Sequence, residues 1–144
     1  MFDKNIGGIN PSGGSMLHAQ ETQADMDPKI LDAFHMMWDA HPSPAMLTKA
    51  NHTVLAVNPA AASAGIQPGI KCFSLCGPDK PCAACQAHVA MKTNACVRSQ
   101  VRSAGRFVDS FWTPVTGVEG VYIHYANDIT DCVREDVLVS GGGD

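Results

Sequence analysis

Residues 96–126 read C-V-R-S-Q-V-R-S-A-G-R-F-V-D-S-F-W-T-P-V-T-G-V-E-G-V-Y-I-H-Y-A, and their alternation decides the fold class. Cys96, Arg98 and Gln100 alternate with Val97, Ser99 and Val101, the pattern of a half-buried strand, in which successive side chains face opposite sides. Ser103-Ala104-Gly105-Arg106 is a turn. Phe107 to Val115 is the next strand, with Phe107, Asp109, Phe111 and Thr113 on one face and Val108, Ser110 and Trp112 on the other. Thr116-Gly117-Val118-Glu119-Gly120 is a second turn, and Val121, Ile123 and Tyr125 then alternate with Tyr122, His124 and Ala126. Strands joined by turns this short can only be antiparallel neighbours.

Working back toward the N-terminus, Ala45–Ala50 and Thr53–Val57 are short apolar segments around an Asn51-His52 turn. Asn58-Pro59 ends the second of them. Ala60 to Ala64 follows as a short helix of small residues, with Gly65 as its C-cap. Residues 83–93 suit a helix that Asn94 can end. Further back, Asp27-Pro28 opens a helix, since Asp caps well and Pro is tolerated in the first turn. Ile30, Leu31, Phe34, Met37 and Trp38 then recur at helical period until Pro42 and Pro44 stop it. Such a stripe must pack on its own domain or on a second copy, so these five residues are the expected homodimer interface. His35 and His41 beside it read as surface or capping histidines. The order of helix, two strands, short helices and three hairpin-linked strands predicts an α+β domain, an antiparallel sheet with helices across one face.

Between the two groups of strands lies the strongest chemical signal, K-C-F-S-L-C-G-P-D-K-P-C-A-A-C-Q-A-H at 71–88. Cys72, Cys76, Cys82 and Cys85 have the spacing C-x3-C-x5-C-x2-C. A Gly-Pro-Asp turn between the two pairs can converge four thiolates on one metal ion or cluster. Soft thiolates suit zinc or iron–sulfur, and the sequence does not separate the two. A disulfide or a reversible thiol pair is the metal-free reading, because a C-x2-C at a helix start favours the thiolate. His88, three residues after Cys85, is a further potential ligand. Cys96 and Cys132 stand apart and read as packing residues.

Composition limits what else the chain can be. Its 144 residues, 45% hydrophobic and 17% charged, suffice for one core and rule out a disordered polymer. A net charge of −4 with scattered Lys and Arg gives no nucleic-acid footprint. No apolar run reaches membrane-spanning length, and the N-terminus has no secretory pattern, so a cytoplasmic location is expected. No G-x-S-x-G, H-E-x-x-H or phosphate-binding glycine loop is present, and no enzyme is expected. The expected organisation is a flexible arm at 1–26, a dimerisation or signalling helix at 27–42, a core at 43–131 and an outgoing segment at 132–144.

Four pieces of this sequence resemble a PAS domain, in order. W-D-A-H-P-S-P-A-M-L-T-K-A at 38–50 is similar to the approach to the first strand, and V-L-A-V-N-P-A-A-A at 54–62 to the second strand and the step into an inner helix. G-R-F-V-D-S-F-W-T-P-V at 105–115 and D-I-T at 128–130 are similar to motifs of the last strands. The match covers about residues 30–132. G-I-K-C-F at 69–73 with P-C-A-A-C at 81–85 further resembles a PAS subgroup with a cysteine-rich insert, matching at Cys72, Cys82 and Cys85, with Cys76 an addition. The resemblance implies a five-stranded antiparallel sheet and a sensory, dimerising module. It would bind a small ligand or cofactor between sheet and inner helices and signal through flanking helices to a downstream protein or output domain. It also implies a lesser alternative, haem held by His88. Cys-A-A-Cys-Gln is not the motif of covalent haem attachment.

Overall fold

A computed structural model describes residues 26–75, 82–103, 105–134 and 136. Asp27 caps the first helix, α1 (Pro28–Trp38), its carboxylate accepting from the Lys29 N–H at 2.9 Å. Then come β1 (Ala45–Lys49), β2 (Val54–Val57) and the short helix α2 (Pro59–Ser63). A 3-10 turn at Cys72–Leu75 precedes α3 (Ala87–Thr93), which Asn94 ends in the left-handed conformation. The hairpin-linked strands are β3 (Val97–Ser103), β4 (Arg106–Pro114) and β5 (Val121–Asp128), and Thr130–Cys132 forms a last 3-10 turn.

The five strands make one antiparallel sheet in the order β2-β1-β5-β4-β3. The expected α+β architecture is therefore present, and the face assignments read from alternation hold. Trp112 pairs with His124 and Val97 on one face, Phe111 with Tyr125 and Arg98 on the other. One feature departs from simple alternation. The β1–β2 register shifts between Leu47 and Thr48, so that Leu55 and Ala56 both join the same core.

The two faces of the sheet are covered differently. On the outer face, α1 lays Phe34, 2% exposed, against Ala45, Leu47, Leu55, Ala56 and Val121, with Ile30, Leu31 and Trp38 packed beside it. Ile30, Leu31, Phe34 and Trp38 of the apolar stripe thus pack on their own sheet, while Met37 and the neighbouring Met36 are exposed. Met26, the last residue of the expected arm, is buried in the same core; residues 1–25 lie outside the described residues. On the inner face, α2 and α3 cover Met46, Val54, Trp112 and Tyr122 through Ala61, Ala87 and Ala90. Alanine on both helices lets the backbones approach the sheet closely.

Asn58 ties these layers together. Its Oδ1 accepts the Ala45 and Ala61 N–H groups, both at 2.9 Å, so one oxygen starts β1 and caps α2. Its Nδ2 donates to the carbonyls of Trp38, His41 and Ser43 at the end of α1. Of the expected outgoing segment at 132–144, Cys132 ends the 3-10 turn at Thr130–Cys132, and residues 135 and 137–144 lie outside the described residues.

Candidate functional site

The cysteine segment enters the fold beside the β1–β2 turn. Cys72 donates its backbone N–H to the His52 carbonyl at 2.9 Å, and Lys71 pairs with Thr53 in an isolated bridge. The Lys71 ammonium anchors this corner by donating to the Asn51 carbonyl and the Thr53 hydroxyl. His52 itself has φ of 70°, a left-handed conformation that a non-glycine side chain adopts at a cost of about 1 kcal/mol or more. That turn puts its ring within the protein's inner corner.

There His52 meets two other polar side chains and one aromatic ring. Its Nδ1 lies 3.7 Å from Cys72 Sγ and 3.5 Å from the Tyr122 hydroxyl, while its ring contacts Phe73 edge-on. Tyr122, 1% exposed, has its phenol pushed well up, first by burial and then by the neighbouring Cys72 and Cys85 thiols and a hydrogen bond to Cys72. Burial also pulls the His52 imidazole down, and the nearby Lys71 and His88 charges reinforce the shift. Neutral forms of both rings are thereby favoured.

The expected metal-site residues are therefore distributed as follows. Cys72 and Cys85 both act on Tyr122, and Cys72, Cys82 and Cys85 are each half-buried. Cys82 and Cys85 share a tight turn, the Cys85 N–H donating to the Cys82 carbonyl at 2.9 Å. Cys76 lies outside the described residues. Among the described residues no three His, Cys, Asp or Glu side chains are grouped closely enough to hold a metal ion, so those present do not by themselves make a metal centre. His88 is exposed on α3 rather than turned under it. Cys96 and Cys132 are exposed. Cys96 accepts a hydrogen bond from Thr113 at 3.1 Å.

Two participants were missed in the sequence. His52 reads as a turn residue, and Tyr122 as a core aromatic some 70 positions away; only the sheet brings them together. A histidine at a turn position usually held by Gly or Asn was the one local sign.

Solved structures with this architecture are known. A domain of an HTR-like protein from Haloarcula marismortui superimposes with a TM-score of 0.51 at 24% identity, over 62% of this chain and 99% of that one. A sensory box sensor histidine kinase from Vibrio cholerae gives 0.51 at 13% identity, over 69% and 89%. The fold is PAS-like. An RNA-binding light-oxygen-voltage receptor matches with a TM-score of 0.55 at 16% identity, over 80% of this chain and 38% of its own. No family model matches the sequence, and no curated protein matches it. The PAS-like domain contains, among its described residues, no helix long and apolar enough to cross a membrane.

Proposed function

We propose that this PAS-like domain is a sensory signal-transduction module that reads redox state through the thiols of residues 71–88. The supporting observation is the placement of Cys72, with its sulfur 3.7 Å from His52 Nδ1 and hydrogen-bonded to a buried tyrosine on the central strand β5. Two thiols there can join as a disulfide when an external two-electron oxidant accepts their two electrons and two protons, and the tyrosine bonded to Cys72 then meets a changed sulfur. Cys82 and Cys85 are the nearby thiols that could complete a reversible disulfide. The readout is contact with a partner protein or a linked output domain, a second copy of the chain included.

The C-x3-C-x5-C-x2-C spacing supports a second reading, in which Cys72, Cys76, Cys82 and Cys85 together bind zinc or an iron–sulfur cluster. That ligand set needs Cys76, since the described thiols do not close it alone. When bound, an iron–sulfur cluster would supply one-electron chemistry and zinc a structural brace. Haem at His88 has less support, because that ring is on the exposed side of α3.

Protein prepared without oxygen, assayed for zinc, iron and labile sulfide and then for thiols before and after mild oxidation, tests both readings. The expected result is a loss of two thiols on oxidation that reduction reverses. Stoichiometric metal with protected thiols would favour the second reading instead. Thiols that are metal-free and inert to oxidant would sink the redox assignment.

A further inference from the structure

At the corner between the β1–β2 turn and β5, three side chains close a triangle. The half-buried Cys72 sulfur lies 3.7 Å from His52 Nδ1, and the Tyr122 hydroxyl hydrogen-bonds the same sulfur. His52 Nδ1 and the Tyr122 oxygen are 3.5 Å apart, so thiol, imidazole and phenol all face one another. The imidazole is held edge-on against Phe73, on a backbone turned to φ of 70°. Strain of that kind is kept where a ring must be presented in one place.

A second thiol reaches the same phenol. Cys85 packs with Ala87, Ala90, Trp112 and Tyr122, and like Cys72 it acts electrostatically on the Tyr122 hydroxyl. Cys72 packs instead beside Met46, Val54, Ala61 and Ile66. The two thiols thus approach one hydroxyl from neighbouring clusters, one from the 3-10 turn and one from the turn before α3.

The departing group separates one class of oxidant from another. A thiol that attacks a disulfide releases a sulfur that is stable as the thiolate. A thiol that attacks a hydroperoxide releases an oxygen, a far stronger base, which needs a proton as the O–O bond breaks. An imidazole and a phenol beside the attacking sulfur meet that need. At exposed Cys96 the neighbour is the Thr113 hydroxyl, which is no comparable proton-transfer group.

We propose that Cys72 is the attacking thiol of a hydroperoxide-sensing site, in which His52 and Tyr122 serve the departing oxygen and Cys85 resolves the product. This rests on the redox reading above and adds its oxidant and its thiol pair. With hydrogen peroxide, the Cys72 sulfur forms an S–O bond as the O–O bond breaks. The electron pair of the broken bond goes to the far oxygen, which takes the Cys72 thiol proton by way of His52 Nδ1 and departs as water. Cys72 is now a sulfenic acid, oxidised by two electrons, and the peroxide is reduced. The Cys85 sulfur then displaces the sulfenic oxygen, which leaves as a second water with the Cys85 proton. One peroxide and two thiols give one disulfide and two waters, and the sulfur that Tyr122 bonds becomes part of a tie between the two turns.

The probe is hydrogen peroxide at one equivalent, added to the reduced full chain, with each thiol followed by alkylation and peptide mass mapping. The expected first product is a Cys72–Cys85 disulfide, formed while exposed Cys96 and Cys132 are still reduced. Cys85→Ser should stop the reaction at a Cys72 sulfenic acid that dimedone traps. His52→Asn should slow Cys72 oxidation about a hundredfold, the loss of one positioned proton-transfer group, with the Cys96 rate in the same molecule unmoved. Asparagine suits the left-handed turn, so this variant removes the ring and keeps the backbone. The proposal is overturned if Cys96 or Cys132 oxidises as fast as Cys72, if Cys72 joins Cys76 or Cys82 instead, or if His52→Asn reacts at the original rate. Diamide, which oxidises thiols without an oxygen leaving group, separates this site from the reading beneath it. A disulfide with diamide but no selective attack by peroxide overturns the hydroperoxide site alone. No disulfide with either reagent overturns both.

Discussion

Asn58 shows how much of this fold rests on single side chains. It is fully buried, and its amide makes five hydrogen bonds to backbone groups of three different segments. Replacement by alanine leaves two N–H groups and three carbonyls short of a partner at the junction of α1, β1 and α2. Asn58→Ala is expected to cost about 3 kcal/mol, seen as a lower denaturant midpoint at unchanged slope. A loss below about 1 kcal/mol would mean that water replaces the amide without strain. The sequence showed half of this role: Asn-Pro read as a strand end and helix start, which the cap on Ala61 confirms. The three bonds to residues 38–43 were not legible, because nothing local to Asn58 says where the preceding helix will end.

At the scale of elements, periodicity was a good guide to what exists and a poorer guide to what each piece touches. The strands and their faces followed from alternation and turns, though β3 and β5 run two residues further than the pattern indicates, since hairpin pairing extends them through Ser103 and Asp128. The helix expected at 83–93 is shorter, because Cys82 to Gln86 is taken up by a turn. The stripe on α1 was correctly helical, yet its period could not say which surface covers it. In the structure Phe34 lies in the outer-face core, while Met36 and Met37 are 81% and 62% exposed. Phe34→Asp should therefore unfold the domain, because a carboxylate would replace a ring in an apolar core. Phe34→Ala should cost about 3–5 kcal/mol. A change at Met37 probes association separately from folding. Met37→Glu should leave stability within about 0.5 kcal/mol. If α1 joins two copies, the same variant halves the mass seen by light scattering; an unchanged dimer would exclude this face.

For the molecule as a whole, β5 is the shared element. Its inner face presents Tyr122 to the thiols and stacks His124 on Trp112, and its outer face presents Ile123 and Tyr125 to α1, with the Tyr125 ring 4.9 Å from that of Trp38. Such a juxtaposition could not be read from the sequence. His52, Cys72 and Tyr122 are separated by long stretches of chain, and their meeting depends on the β1–β5 register. What was legible was the cysteine spacing of 71–88; what was hidden was that segment's route into the sheet. A consequence can be measured. Oxidising Cys72 removes the thiol that Tyr122 bonds, so the phenol is left buried beside a changed sulfur, and the strand that carries it loses a fixed contact. Diamide treatment should speed amide hydrogen exchange in β5 and at Phe34–Trp38 by about tenfold, equivalent to about 1.4 kcal/mol of local opening. Tyr122→Phe, which keeps the ring and deletes the hydroxyl, should abolish the change at α1 while leaving the thiols oxidisable. If oxidation alters exchange only within residues 71–88, the sheet does not carry the event and α1 is packing alone. If α1 responds equally with and without the hydroxyl, the coupling runs through the backbone bond from Cys72 to His52 instead.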